Sequence, residues 1–290
     1  MGVIKFDHIQ ARMKFMPTPI EILLNPVTFI ILAIYGTLMA WEAFFPGRDL
    51  PHVPFWKVRG LLVFFVYFFV SSYLPLFIDP LLAPYQLFNL TSTETWLGAL
   101  CGILVYEFGV FVWHYSMHRF DILWRTFHQM HHSAERLDTY GAFYFSLLDM
   151  AGFTLLVSIS FTLVGISPEA ITIVLLTVTF FGVFQHANIK TPQWLGYFIQ
   201  RPESHTMHHA RGIHGYNYSD LPLFDILFGT FRNPRHFEHE TGFYNGASAR
   251  VGEMLLFKDV TKPKEKKVEQ RNLQEDFQNE KENKAEKELA

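Results

Sequence analysis

Nine of the fourteen histidines fall into four short clusters: His114-Tyr-Ser-Met-His118, His128-Gln-Met-His131-His132, His186-Ala-Asn188 and His205-Thr-Met-His208-His209. Residues at i, i+3 and i+4 share one face of a helix. His114 and His118 therefore point the same way, as do the three histidines of each HxxHH. Surface histidines have no reason to repeat HxxHH twice. A catalytic zinc takes three protein ligands and a structural zinc four. Nine imidazoles exceed one coordination sphere and suit two metal ions with four or five nitrogens each. No cysteine lies in the clusters, which excludes iron–sulfur and thiolate sites, and hard Mg or Ca sites need carboxylates. Imidazole itself accepts Fe, Zn, Cu and Ni. His8, His52, His236 and His239 stand alone and read as ordinary surface or hydrogen-bonded side chains. His214 divides about evenly between that reading and a further ligand.

The elements that carry these clusters are apolar. Of 290 residues, 50 % are hydrophobic and only 18 % charged, with 31 Phe and a single Cys. The last 33 residues, Lys258 to Ala290, hold 9 of the 24 Lys/Arg and 9 of the 27 Asp/Glu. The remaining body is thus far less charged than a soluble domain, where about 25 % is usual. A disulfide scaffold, a disordered chain and a small soluble domain are excluded. A net charge of −3 with no basic stripe in the body argues against nucleic acid as a partner.

Four uncharged or nearly uncharged runs follow one another: Ile22–Trp41, Gly60–Ile78, Thr95–Trp113 with only Glu107, and Tyr140–His186 with only Asp149 and Glu169. A membrane crossing takes about 20 residues, so the last run holds two helices that turn at Gly165–Pro168. The expected fold is all-α: a polytopic membrane bundle of four to five apolar helices, with a cytoplasmic helical cap carrying the histidine boxes. Residues 1–94 supply N-terminal membrane helices, 95–257 a catalytic domain, and 258–290 a charged tail, solvated or disordered. The N-terminus, beginning Met1-Gly2-Val3-Ile4-Lys5, has neither a cleavable signal pattern nor a myristoylation site.

Orientation follows from Lys and Arg. Asp79–Glu94 and Gly165–Glu169 contain none, whereas Pro46–Arg59 and His114–Tyr140 contain three each. The basic segments alternate correctly if they and the C-terminal third are cytoplasmic, which puts every histidine cluster on that side of a bacterial inner membrane or endoplasmic reticulum. Lys5, Arg12 and Lys14 do not fit, because five full crossings place them outside. The first helix is then re-entrant or interfacial, or the N-terminus is an exception. Lipids in such a setting offer mainly unactivated C–H bonds, whose attack takes activated dioxygen and favours iron.

The order HxxxH, HxxHH, HxN, HxxHH resembles the fatty acid hydroxylase/sterol desaturase superfamily of integral-membrane di-iron enzymes. Trp124 to Ser133 is similar to its second box. Pro202 to His209, Asn217-Tyr218 and Asp225 to Phe231 are similar to its C-terminal signature. The resemblance spans about half the chain, from Thr95 to Asn233. It implies an oxidoreductase that uses two iron ions and O2 to hydroxylate or desaturate a lipid, a sterol or acyl lipid among the possibilities. Electrons would come from a cytochrome b5-like protein, a ferredoxin or a reductase. The iron ligands it implies are His114, His118, His128, His131, His132, His186, His205, His208 and His209. One departure stands out: where relatives have Arg-x-His-Pro after the second box, this chain reads Tyr144-Phe-Ser146-Leu147, and that histidine's role is lost. Trp113, Tyr115, Phe143 and Tyr144 near the boxes are pocket candidates, though most read as lipid-facing or interfacial aromatics.

Two other classes compete. A di-haem cytochrome needs facing axial histidines in mid-membrane, which vicinal pairs at the membrane edge serve badly. A metal transporter needs ionisable residues along a path, and only Glu107 and Asp149 lie deep in the apolar runs. A carboxylate inside a span needs a reason. Glu107 shares a helix face with His114 and His118 but lies about 10 Å from His114 along the axis. It is expected to orient a ligand imidazole from a neighbouring helix or, equally, to serve packing.

Overall fold

The structure, a computed structural model, describes residues 16–264. Met1–Lys5, Lys14 and the tail from 265 onward, with the expectations attached to them, lie outside the described residues. Within that range the chain forms α1 Pro19–Leu23, α2 Pro26–Phe44, α3 Trp56–Leu82, α4 Thr95–Arg119, α5 Asp121–Leu123, α6 Gln129–His132, α7 Leu147–Val164, α8 Pro168–His186, α9 Pro202–His208, α10 Pro222–Phe228 and α11 Val251–Leu255. No strand forms among the described residues; two isolated bridges join Leu90 to Ile166 and Ala210 to Thr241.

Five helices, α2, α3, α4, α7 and α8, are long and apolar enough to cross a membrane, so the protein is a multi-pass membrane bundle. Their ends are set by local chemistry. Asn25, Ser146 and Ser167 each accept a backbone N–H at a helix start, and Pro26 and Pro168 occupy first-turn positions where a missing N–H costs nothing. The long Tyr140–His186 run breaks at Gly165, whose φ of +62° ends α7 in the left-handed region that glycine tolerates.

α7 packs against α3 and α4, and α8 against α2 and α4. The outer faces leave Phe29, Leu62, Phe65, Leu100 and Phe108 exposed, as lipid contact requires. α2 runs the length of the bundle. Its start lies beside the far end of α3, where the Tyr73 hydroxyl donates to the Pro17 carbonyl. At the other end Glu42 accepts from Thr139 N, Thr139 Oγ1 and Asn188 N. The start of α2 therefore lies at the end of the bundle opposite the histidines.

The cap closes over that second end. Asn188 holds the α2–α3 loop by accepting from Arg48 N and donating to Arg48 O. Trp56 donates through Nε1 to Asp138, and Gly60 allows α3 to approach the segment after the second box: a Cβ there would run into the Tyr140 carbonyl. The first residues of the expected tail belong to the cap. Gln129 donates to Lys258 O and accepts from Val260 N, and Val260 is buried with Trp56, Met130 and Tyr144. Lys258 and Asp259 stay exposed, while the second histidine box ties down the backbone of 258 and 260 and buries Val260.

Gly60→Ala is expected to destabilise the fold by about 1–3 kcal/mol, the usual cost of overpacking, read as a lower thermal midpoint in detergent. Gly36→Ala in α2, which meets nothing within 4 Å, is the control and should not lower it.

Candidate metal centre

The nine clustered histidines converge beneath the cap in two groups. His114, His118, His128, His132 and His208 form one, and His131, His186, His205 and His209 the other; within each, one nitrogen per ring lies within 4.8 Å of all the rest. The HxxHH motifs do not act as single faces. On a helix the i+3 and i+4 side chains diverge by about 100°. Each motif gives its i, i+4 pair to one group and its i+3 member to the other. His128 and His132 join the first group and His131 the second, while His205 and His209 join the second and His208 the first. A π-helical turn, Trp124–His128, precedes α6 and sets His128 against α4. The groups touch where the His132 and His209 rings stack, 4.1 Å apart and 12° from parallel.

Backbone carbonyls set the protons. His114 Nδ1 lies 2.6 Å from Tyr218 O, His186 Nδ1 2.6 Å from Gly182 O and His208 Nδ1 2.7 Å from Tyr216 O. A carbonyl only accepts, so each ring carries its proton on Nδ1 and presents a bare Nε2. His128 Nδ1 donates to Asp149 Oδ2 at 2.9 Å. The bare Nε2 of His114 then sits 2.8 Å from His128 Nε2, and that of His186 lies 3.1 and 3.0 Å from His131 and His205 Nε2. Seven further nitrogens of the nine clustered imidazoles, including His118 Nε2, His132 Nε2 and His208 Nε2, are buried without a partner among the described residues. Each such atom costs about 1–3 kcal/mol. Converging lone pairs and orphaned nitrogens fit a cation in each group, and an all-imidazole, uncharged donor set fits a transition metal rather than Ca or Mg. Nitrogens this close leave no space between them for a porphyrin plane.

Burial, and then the neighbouring imidazoles, hold the pKa values of His128, His131, His132, His205, His208 and His209 well below the usual histidine range. All six are therefore neutral and ready to ligate at pH 7.

A hairpin of chain after α9 supplies two of the orienting carbonyls, and polar side chains fix it. Asn217 takes a left-handed φ of +58°, which asparagine tolerates, accepts from Arg232 N and donates to Ser204 O. Asp225 accepts from Tyr218 N, Ser219 N and Thr230 Oγ1. Glu107 Oε2 accepts from Asp220 N and Leu221 N, 3.0 Å each. Glu107 thus touches no imidazole. It holds the backbone that carries the Tyr218 carbonyl, and so reaches His114 through one intermediary. The direct carboxylate contact on a clustered histidine belongs to Asp149, the other acid noted inside a span. Its signal in the sequence was the same as that of Glu107, and the pairing depends on α7 packing against α4 and the π turn.

His214 lies beside the first group, its ring 5.1 Å from that of His132, but falls in neither group. His52 and His236 are exposed and outside both; His8 lies outside the described residues. Of the aromatic pocket candidates only Phe143 lines the large cavity that reaches the histidines. Tyr115 is 42 % exposed, and Tyr144 is buried with its hydroxyl donating to Ser248 O. The cavity's aromatic walls come instead from Tyr67, Phe68, Tyr106, Phe145, Phe153 and Phe161. Asp220 lines the same end, its pKa pushed up to about 6 by burial.

Residues 99–230 match the fatty acid hydroxylase family, which supports the resemblance to the fatty acid hydroxylase/sterol desaturase superfamily. Over 138 residues it is 32 % identical to an ornithine lipid hydroxylase of Rhizobium tropici. That stretch covers 46 % of this chain and 41 % of the relative, so the match spans about two fifths of the relative's length. No solved structure matches the chain.

Asp149→Ala removes the acceptor of His128 Nδ1 and is expected to weaken metal binding roughly 10–100-fold, measured by competition with a chelator. Glu107→Gln keeps an acceptor oxygen for Asp220 N and Leu221 N and should weaken it less.

The metal-free protein should lose stability as the pH falls below about 6.5, the unfolded histidine value. There the unfolded chain takes up protons that the buried imidazoles refuse, so stability rises with pH across this window. Thermal midpoints of chelator-treated protein between pH 7.5 and 5.5 test the sign.

Proposed function

We propose that this protein is a membrane-bound, O2-dependent lipid hydroxylase that holds two iron ions. The observation that carries the reading is the pair of buried imidazole groups at the inner end of a cavity of about 920 Å³ within a membrane bundle. The family match and the lipid hydroxylase relative support it. His114, His118, His128, His132 and His208 would hold one ion, and His131, His186, His205 and His209 the other. Bound there, the irons would supply the activation of O2 that breaking an unactivated C–H bond requires. Overall, one oxygen atom enters the C–H bond and the other leaves as water, with two electrons and two protons from an external donor.

The chain's own residues do the rest. The carbonyls of Gly182, Tyr216 and Tyr218 and the Asp149 carboxylate fix which nitrogen each of four rings presents. The aromatic and aliphatic walls exclude bulk water from the reacting carbon and align a lipid chain with the histidines. The catalytic unit is placed in residues 95–257, with 1–94 supplying two crossing helices and part of the cavity wall, and most of 258–290 dispensable for chemistry. The histidine end is assigned to the cytoplasm from the Lys/Arg distribution, where a cytochrome b5-like protein, ferredoxin or reductase can dock. The chain has a single Cys and no Gly-rich dinucleotide loop, so it carries neither a cluster nor a nicotinamide site of its own.

Anaerobic iron loading is expected to give two irons per chain without a Soret band; one per chain would overturn the di-iron reading. His118→Ala, His132→Ala and His209→Ala should each abolish turnover, and His239→Ala should not. Loaded protein given NADPH and O2 alone should be inactive, with lipid hydroxylation appearing once a reductase chain is added.

A further inference from the structure

α10 belongs to the cap by connectivity, yet it packs on α4, one of the five long apolar helices. The Phe224 ring lies 5.4 Å from that of Phe108, and the Phe228 ring stacks 4.8 Å from that of Phe111. These contacts fix its depth. A crossing takes about 20 residues, and α4 has 25. Any stretch of about 20 residues between Thr95 and Arg119 includes both Phe108 and Phe111, so both lie inside the acyl layer wherever it falls along α4. Phe224 stands beside Phe108, about 9 Å along the axis from His114 toward the middle of the helix.

The free side of α10 suits that depth. Leu223, Ile226, Leu227 and Phe228 are 43 to 66 % exposed, whereas a helix face turned to water carries polar or charged groups. From Leu221 to Phe231 the one charged residue is Asp225, which is buried and accepts from Tyr218 N, Ser219 N and Thr230 Oγ1. Irregular backbone survives at membrane depth only where protein satisfies its polar groups. Glu107, itself within α4, accepts from Asp220 N and Leu221 N; Pro222 has no N–H; Asp225 O accepts from Thr230 N and Phe231 N. Charge resumes directly afterwards with Arg232 and Arg235, both exposed, whose long side chains extend toward headgroups.

We infer that α10 lies within the acyl layer of the leaflet at the histidine end, with Leu223, Ile226, Leu227 and Phe228 against lipid chains. The cap is then sunk into the bilayer on this side rather than standing clear of it. Lipid is the occupant because the face continues the exposed side of α4, where Val105, Phe108 and Val112 meet the surroundings. The same hairpin carries the Tyr216 and Tyr218 carbonyls that face His208 and His114, so the lipid seat and the metal centre share one support.

The test uses full-length protein in phosphatidylcholine vesicles containing some phosphatidylglycerol, with Cys101→Ser to remove the natural thiol. Nitroxide labels are attached at Leu227→Cys and, separately, Ile226→Cys, with Val105→Cys on α4 as the acyl reference and Arg235→Cys as the water reference. Power saturation reads access of O2, which concentrates in the acyl layer, against access of a water-soluble nickel chelate. Labels at 226 and 227 are expected to match 105, with O2 access exceeding nickel access, and 235 to show the reverse. Nickel access at 226 and 227 equal to that at 235 would place α10 in water and overturn the inference. Exclusion of both reagents would mean that a second copy of the chain or another protein covers the face, and overturns it as well. Bound iron equal to that of wild type verifies that each labelled variant is folded, and if one of the two α10 variants fails this control the other reads the same face.

Discussion

The i+3 histidine of each HxxHH crosses to the group built by the other motif's i, i+4 pair. This exchange ties α6 and α9, segments about 75 residues apart, into one unit. Neither group is complete on its own helix. The stacked His132 and His209 rings mark the seam. Everything else in the cap serves to keep two short helices at the spacing that lets their imidazoles interleave. A five-residue π turn before α6 and a proline-started single helical stretch at α9 are short enough to be placed independently of the long spans.

Rigid presentation of bare nitrogens needs acceptors that cannot donate, and backbone carbonyls meet that need. Two of them lie in the Tyr216–Tyr218 stretch, which has no regular structure of its own. Its shape is imposed by Asn217, Asp225 and Glu107, each buried and each hydrogen-bonded to backbone N–H groups. Buried polar groups are costly unless satisfied. Here their cost is offset by bonds that fix a loop, and the loop in turn fixes ligand tautomers. Arg201 does the same for α9: fully buried, it reaches Thr191, Asn233 and Glu203.

Below the cap the bundle is apolar outward and partly hollow inward. Exposed Phe, Leu and Trp side chains face the surroundings as lipid contacts require, while α3, α4, α7 and α8 leave a cavity between them that ends at His114, His128, His131, His186 and His205. The seam therefore has water-excluding walls on the side from which a lipid chain arrives, and a polar, hydrogen-bonded cap on the other.

Residue type and periodicity determined a great deal. Apolar runs longer than a bilayer needs leave a chain few options, so five crossing helices, the break at Gly165–Pro168 and the gathering of all histidine clusters at one end were legible from the sequence alone. So was the capacity for two ions, because nine imidazoles outnumber one coordination sphere. Helical spacing could not reveal that each HxxHH splits, since i+3 and i+4 share a broad face yet diverge enough to serve different neighbours. Nor could it separate Glu107 from Asp149, two acids with the same local pattern. Which one meets an imidazole depends on which helix packs beside it, and packing is a property of pairs of distant segments. The cavity walls on α3 and α7 and the capture of residues 258 and 260 by Gln129 are of the same kind. Each is a contact between segments far apart in the chain, and only the tertiary fold brings their atoms within reach.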